Sequence, residues 1–295
     1  MGNRSFAVGT LGVFVAVAVG LVSCGGSAPA PASKAIVTGS QHGSLNISGQ
    51  KRTYRLFFPP SLDQHKPAAL VVSLHPCPAP ANPDDDYSHF DDQASAGGFI
   101  SAYPYAPQCW NDGSGHGPRY DDVGFVSGLI DQVSKNFPVD PKRVFIAGIS
   151  VGALMSYWLA CQLSDRIAAI AAVSGTMPVD DCQPARPVSI LAMNGTEDAN
   201  FPYEGGGPMN GKPILTVIKA WATRNGCTGD PIQSQAGITK TKLWNQCKSG
   251  AVVRLDTVVG GHHTWFGSPF NPVPGEPNAN TVVWDFFSKV GSSQT

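Results

Sequence analysis

Charge is scarce in this chain. Asp, Glu, Lys and Arg make up 14% of its 295 residues, and 20 basic against 21 acidic side chains leave a formal net charge of −1. No basic stripe offers itself to a nucleic acid, and no acidic block marks a disordered tail. Cys-x-x-Cys is missing, which argues against a zinc ribbon. No internal repeat is visible, and neither a metal nor an organic cofactor is called for. The acidic triplet Asp84-Asp85-Asp86 sits among prolines and is read as a solvated loop. What the chain has in quantity is turn formers, 33 glycines and 25 prolines. That profile suits an exported enzyme whose site is built on loops better than a helical bundle. The length is ample for one large domain with a full core.

The N-terminus has the form of a targeting segment. Arg4 supplies positive charge, and Phe6 to Val22 is apolar but short for a spanning helix. Leu21-Val22-Ser23-Cys24 resembles the lipobox of bacterial lipoproteins. That resemblance implies a signal over residues 1–23, a lipid on Cys24, a flexible tether over 24–40 and a catalytic domain over 41–295. The expected location is an envelope membrane or the cell surface, with membrane contact through the lipid alone. Setting Cys24 aside leaves six cysteines, an even number that fits disulfides in an oxidising compartment. Nearest available partners that close modest loops give Cys77–Cys109, Cys161–Cys182 and Cys227–Cys247.

Strands and helices alternate along the rest of the chain. Arg52 to Pro59, Ala68 to Leu74, Phe99 to Tyr105, Val144 to Ala147, Ile167 to Ser174, Val188 to Met193 and Val252 to Val258 are expected strands. Helices are expected to close at Gly98 and to span Asp122 to about Phe137, Val151 to Leu163, Ile214 to Asn225 and Ala279 to Lys289, with Asp121-Asp122 as an N-cap. Pro78 to Asp92 and Pro107 to Tyr120 are read as loops, and Gly226 to Gly250 as a polar stretch. The alternation predicts an α/β fold with a mostly parallel sheet covered on both faces.

One stretch organises the chemistry. Arg143-Val144-Phe145-Ile146-Ala147 leads into Gly148-Ile149-Ser150-Val151-Gly152 and then a helix former, the pattern of a nucleophile elbow. The strained turn would lift Ser150 to the top of the sheet and leave the Val151 N–H free for an oxyanion. A serine hydroxyl needs a base, and the base needs an orienting acid, in the chain order serine, acid, histidine. Only His262 and His263 follow Ser150. For the acid, Asp198 follows a buried strand, where ligands of open α/β sheets bind. Glu197, Asp230 and Asp256 are formal alternatives.

The motifs together resemble the exported α/β-hydrolase esterases grouped as feruloyl esterases, acetylxylan esterases and polyhydroxybutyrate depolymerases. The marks are Leu74-His75-Pro76-Cys77, Asp121-Asp122-Val123-Gly124-Phe125, the elbow, Asn194-Gly195-Thr196-Glu197-Asp198, Asn225-Gly226-Cys227 and Gly260-Gly261-His262-His263-Thr264-Trp265. The resemblance implies a triad of Ser150, Asp198 and His263 acting on an ester substrate, polymer-linked or small. It leaves His262 as a rim residue touching substrate. Two positions depart from the pattern. Pro76 stands where glycine is usual: the oxyanion hole is intact if its second donor is the Cys77 N–H, the expected one, and weakened if the glycine position supplied it. Phe266 stands where proline is usual and is expected to alter the pocket rim. Trp110 and Trp265 are candidates to line an aromatic acyl site. A prolyl-oligopeptidase-type peptidase and a catalytically silent surface-binding lipoprotein are the alternatives.

Overall fold

The alternation of strands and helices becomes a ten-stranded sheet with helices on its faces in the computed structural model, which describes residues 37–80, 88–269 and 271–292. Strands β1 (Gly39–Ile47), β2 (Gln50–Phe58) and β3 (Ala68–Leu74) come first. Helix α1 (Phe90–Gly97) and strand β4 (Ile100–Pro104) follow, then α2 (Asp122–Asn136), β5 (Val139–Ile149) and α3 (Val151–Gln162). Strands β6 (Ala169–Val173) and β7 (Ser189–Gly195) lead to α4 (Ile214–Arg224). The hairpin β8 (Ile232–Ala236) and β9 (Thr239–Trp244), then β10 (Val253–Val258) and α5 (Ala279–Ser292), complete the order.

The spatial order is β1-β2-β4-β3-β5-β6-β7-β10-β9-β8. From β4 to β10 neighbouring strands run parallel, and antiparallel pairs flank them at both edges. Strands β3, β4, β6 and β7 and the second half of β5 are buried, and successive residues feed opposite layers. Leu70, Val72, Ile146, Ile170 and Ile190 pack in the layer of α2, α3 and α4. Val71, Phe145, Ala147, Ala171 and Leu191 face α1 and α5, where Phe145 stacks on Phe287 at 4.6 Å. Asp121 caps α2, its carboxylate accepting the Gly124 N–H at 2.7 Å.

The structure departs from the sequence reading at the edges. Strand β1 takes in Gly39 and Ser40, the last two residues assigned to the tether, and helix α1 starts at Phe90, inside the stretch read as a loop. The polar stretch 226–250 contains the hairpin β8–β9. The two strand misses have one cause. Strands β1 and β8 carry mostly exposed residues, so they lack the buried face that makes a strand legible. The signal and lipid site at Cys24, the tether up to residue 36 and the Asp84–Asp86 triplet lie outside the described residues. No described helix is long and apolar enough to cross a membrane.

Three disulfides staple the loops: Cys77–Cys109, Cys161–Cys182 and Cys227–Cys247. These are the pairs expected from nearest spacing. The first joins the loop after β3 to the loop after β4, at the carboxyl ends of adjacent parallel strands.

Candidate active site

Ser150 lies at the junction of β5 and α3 with φ 58° and ψ −125°, a region that costs a non-glycine residue about 1–3 kcal/mol. The surroundings hold it there. Its N–H donates to the Val173 carbonyl at 3.0 Å, and its own carbonyl accepts from Ala153 at 2.9 Å and Leu154 at 3.1 Å. The flanking glycines are required by close approach rather than by φ. A Cβ on Gly148 would stand 2.2 Å from the Gly152 carbonyl oxygen, and one on Gly152 would stand 2.3 Å from that of Leu74. The strand–helix crossing and the loop after β3 are therefore pressed together around the serine. Val151, the first residue of α3, has an N–H with no intrahelical acceptor.

Asp198 sits in the turn after β7 and is buried. Its two oxygens do different things. Oδ1 accepts the N–H groups of Asn200 at 2.9 Å and Phe201 at 2.8 Å, which is the Asx turn such a position favours. Oδ2 lies 2.9 Å from His263 Nδ1. With Nδ1–H donating to the carboxylate, the neutral ring presents a lone pair on Nε2. The other acids are elsewhere. Asp256 is buried in β10 and bound to Arg254 and Thr241, and Asp230 is exposed in a loop.

The acid loop and the histidine loop are laced together. Glu197 N–H donates to the Gly261 carbonyl at 2.9 Å, and Gly260 N–H donates to Thr196 Oγ1 at 2.8 Å. A Cβ on Gly195 would stand 2.0 Å from the Gly261 oxygen. Ser174, at the end of β6 with φ 49°, ties this pair to the elbow. Its hydroxyl donates to the Thr264 carbonyl at 2.7 Å and accepts the Thr264 N–H at 3.3 Å, while neighbouring Val173 holds Ser150. No hydrogen bond joins Ser150 Oγ to His263 among the described residues, a looseness common in unliganded sites. Ser174 escaped the sequence reading because a serine closing a buried strand has no local mark of its partner 90 residues away.

His262 is half-buried beside this pair, its Nδ1 3.5 Å from the Glu197 carbonyl and 4.0 Å from the Glu197 carboxylate. It does not approach Asp198. A cleft of about 950 Å³ opens next to the elbow, bordered by Cys77, Val151, Leu154, Met177, Phe201 and Met209. Trp110 borders it as a buried ring whose Nε1–H donates to the His75 carbonyl at 2.9 Å. Trp265 does not border it. That indole is buried against Phe90 and donates to Asn280 Oδ1 at 2.8 Å, so the substrate contact expected of it is corrected to core packing. Phe266 is likewise buried beneath Gly261 rather than on the pocket rim. Sequence reasoning overstated both because an aromatic beside a candidate histidine cannot reveal which layer it enters. Among the described residues no group of three or more His, Cys, Asp or Glu is placed to hold a metal.

Comparison with known proteins matches the family described as Esterase PHB depolymerase over residues 52–193. Feruloyl esterase B of Piromyces equi is 35% identical over 223 residues, 70% of this chain and 41% of that protein. The bifunctional acetylxylan esterase/xylanase XynS20E of Neocallimastix patriciarum is 30% identical, over 82% of this chain and 34% of that one. The chain thus spans well under half of these two relatives. It covers 84% of feruloyl esterase D of Neurospora crassa, at 26% identity. In fold it resembles the acetyl xylan esterase from Aspergillus awamori, with a TM-score of 0.59 at 18% identity over 84% of this chain and 99% of that one. The elbow and the laced Asp198–His263 loops lie on an α/β-hydrolase sheet, and the match to the family described as Esterase PHB depolymerase covers the elbow and ends before both loops.

Proposed function

We propose that this protein is a serine carboxylic-ester hydrolase working through an acyl-serine intermediate. The observation that carries the reading is the 2.9 Å contact of His263 Nδ1 with buried Asp198, on loops bound to the elbow of Ser150. In the proposed cycle His263 Nε2 takes the Ser150 proton as Oγ attacks the ester carbonyl carbon. Asp198 stays ionised, holds Nδ1–H and stabilises the imidazolium. The carbonyl oxygen becomes an oxyanion facing the N–H groups of Val151 and Cys77. Collapse of that intermediate expels the alcohol, which leaves with the proton from His263. Water then repeats the sequence on the acyl-serine and releases the acid.

The substrate class is read as esters hanging from a polymer: feruloyl or acetyl groups on polysaccharide, or a polyhydroxyalkanoate. A cleft of about 950 Å³ exceeds what an acetyl group fills and favours a bulky acyl group. The relatives named for feruloyl ester cleavage support the same choice. Trp110 borders the cleft, and His262, which stands beside Glu197 and does not border it, is read as an outer substrate contact. Three disulfides support export to an oxidising compartment, and Cys24 is the proposed lipid site.

A fluorophosphonate probe tests the core of the reading. The wild type should be labelled on a single residue, and Ser150→Ala should abolish the label. Labelling that survives this substitution, or an unlabelled wild type, overturns the proposal.

A further inference from the structure

The loop after β3 carries a histidine that this cycle leaves unused. His75 packs between the rings of Trp110 and Tyr105, with centroids 4.7 and 5.6 Å away. Both of its ring nitrogens are engaged. Ala106 N–H donates to Nε2 at 3.0 Å, so in the neutral ring the proton sits on Nδ1. Nδ1 lies 2.7 Å from the Pro76 carbonyl oxygen and donates to it. Burial pushes the His75 pKa down to about 4, which keeps the ring neutral and this tautomer in place. The His75 carbonyl accepts the Trp110 indole N–H, and a Cβ on Gly152 would stand 2.7 Å from the same oxygen. The loop is thus clamped against the turn of α3 that presents the Val151 N–H.

The peptide joining Pro76 to Cys77 is trans, so its C=O and N–H point to opposite sides of one plane. Once the Pro76 oxygen is held by His75, the Cys77 N–H is aimed the other way. It has no acceptor among the described residues, and Cys77 borders the same cleft as Val151. We propose that His75 is a positioning residue, whose Nδ1–H holds the Pro76 carbonyl and thereby directs the Cys77 N–H into the oxyanion hole. The inference rests on the serine-hydrolase reading above. It also accounts for Pro76, which has no N–H to offer at a position where none is needed and whose fixed φ stiffens the loop.

Two amide substitutions separate the two bonds of the ring. In His75→Asn the side-chain amide falls near Nδ1, keeping a donor for the Pro76 carbonyl and losing the Ala106 contact. In His75→Gln it falls near Nε2, keeping the Ala106 contact and losing the donor. Losing one oxyanion donor typically costs about 10²–10³ in kcat. On a nitrophenyl ester, His75→Gln should lose on the order of 100-fold in kcat with KM nearly unchanged, and His75→Asn should retain kcat within roughly tenfold. Affinity for phenylboronic acid, whose serine adduct places an anionic oxygen in the hole, should fall in parallel. A Gln variant with wild-type kcat, or an Asn variant as impaired as Gln, overturns the proposal. If circular dichroism shows either variant unfolded, the wild type decides. Its Cys77 amide proton should move downfield in NMR spectra on adding the boronic acid, and an unmoved resonance overturns the proposal. A wild type that fluorophosphonate does not label sinks the hydrolase reading itself, whereas a labelled one with a silent Cys77 amide sinks only the role of His75.

Discussion

At the scale of single residues, two adjacent histidines have separate environments. His263 meets the buried Asp198 carboxylate, while His262 stands half-buried beside Glu197. His263→Ala should therefore cost turnover by about 10⁴ or more, as loss of a triad base does. His262→Ala should cost no more than roughly tenfold, the scale of one modest contact. Steady-state kinetics of the two folded variants checks this, and the reverse ranking would move the base by one residue. His75 adds a pH prediction. Its folded pKa of about 4 lies below the ordinary value of 6.5, so the unfolded chain binds the extra proton first. Stability should then fall as pH drops from 6.5 toward 4 and level off below, by up to about 3 kcal/mol from this group. Denaturant titrations across that range should show a steeper acid loss for the wild type than for His75→Asn. Equal slopes would refute the assignment.

Among the elements, the carboxyl ends of β3, β5, β6, β7 and β10 each deliver one part of the site. Strand β3 leads to the Pro76–Cys77 peptide, β5 to Ser150, β6 to Ser174, β7 to Asp198 and β10 to His263. Their parallel arrangement brings these loops to one edge of the sheet, as the crevice rule for open α/β sheets requires. The disulfide Cys77–Cys109 ties one of these loops, the one after β3, to the loop after β4, whereas Cys227–Cys247 lies in the region between α4 and β10. Either loop closure contributes about 3 kcal/mol in the chain-entropy model. Replacing both cysteines of either pair with serine should thus lower stability comparably. Only the Cys77/Cys109 pair should also lower kcat, because it borders the cleft. Melting curves and kinetics on the two double variants test the distinction, and equal kcat losses would contradict it.

For the whole molecule the prediction concerns location. The sequence before residue 37 carries an apolar segment ending at Cys24, and a lipid on that sulfur would hold the protein at a membrane surface. Cys24→Ala, expressed with the full chain, should shift activity from the membrane fraction to the soluble fraction or leave an unprocessed precursor. A correctly processed variant that still partitions into detergent would rule the anchor out. In either case the sheet should form unchanged, because the described elements begin at Gly39.

Much of this molecule is written locally in the chain. Buried parallel strands carry continuous apolar runs, Asp121 announces its helix, and the glycines around Ser150 mark a tight strand–helix turn, so the α/β sheet and the elbow were legible without coordinates. Chain order narrowed the base to two histidines for the same reason, since the fold constrains sequence order. Three things were not local. The edge strands β1 and β8 hide because half-solvated polar segments look like loops until a partner strand is present. The layer that Trp265 and Phe266 enter is set by whichever face of the sheet their loop folds over, and it proved to be the core. The clamp of Ser174 on Thr264 and the grip of His75 on Pro76 depend on the closeness of backbone atoms from strands far apart in sequence or on the orientation of one peptide plane. Residue identity supplies the chemical groups, and tertiary packing alone decides which of them meet and in what orientation.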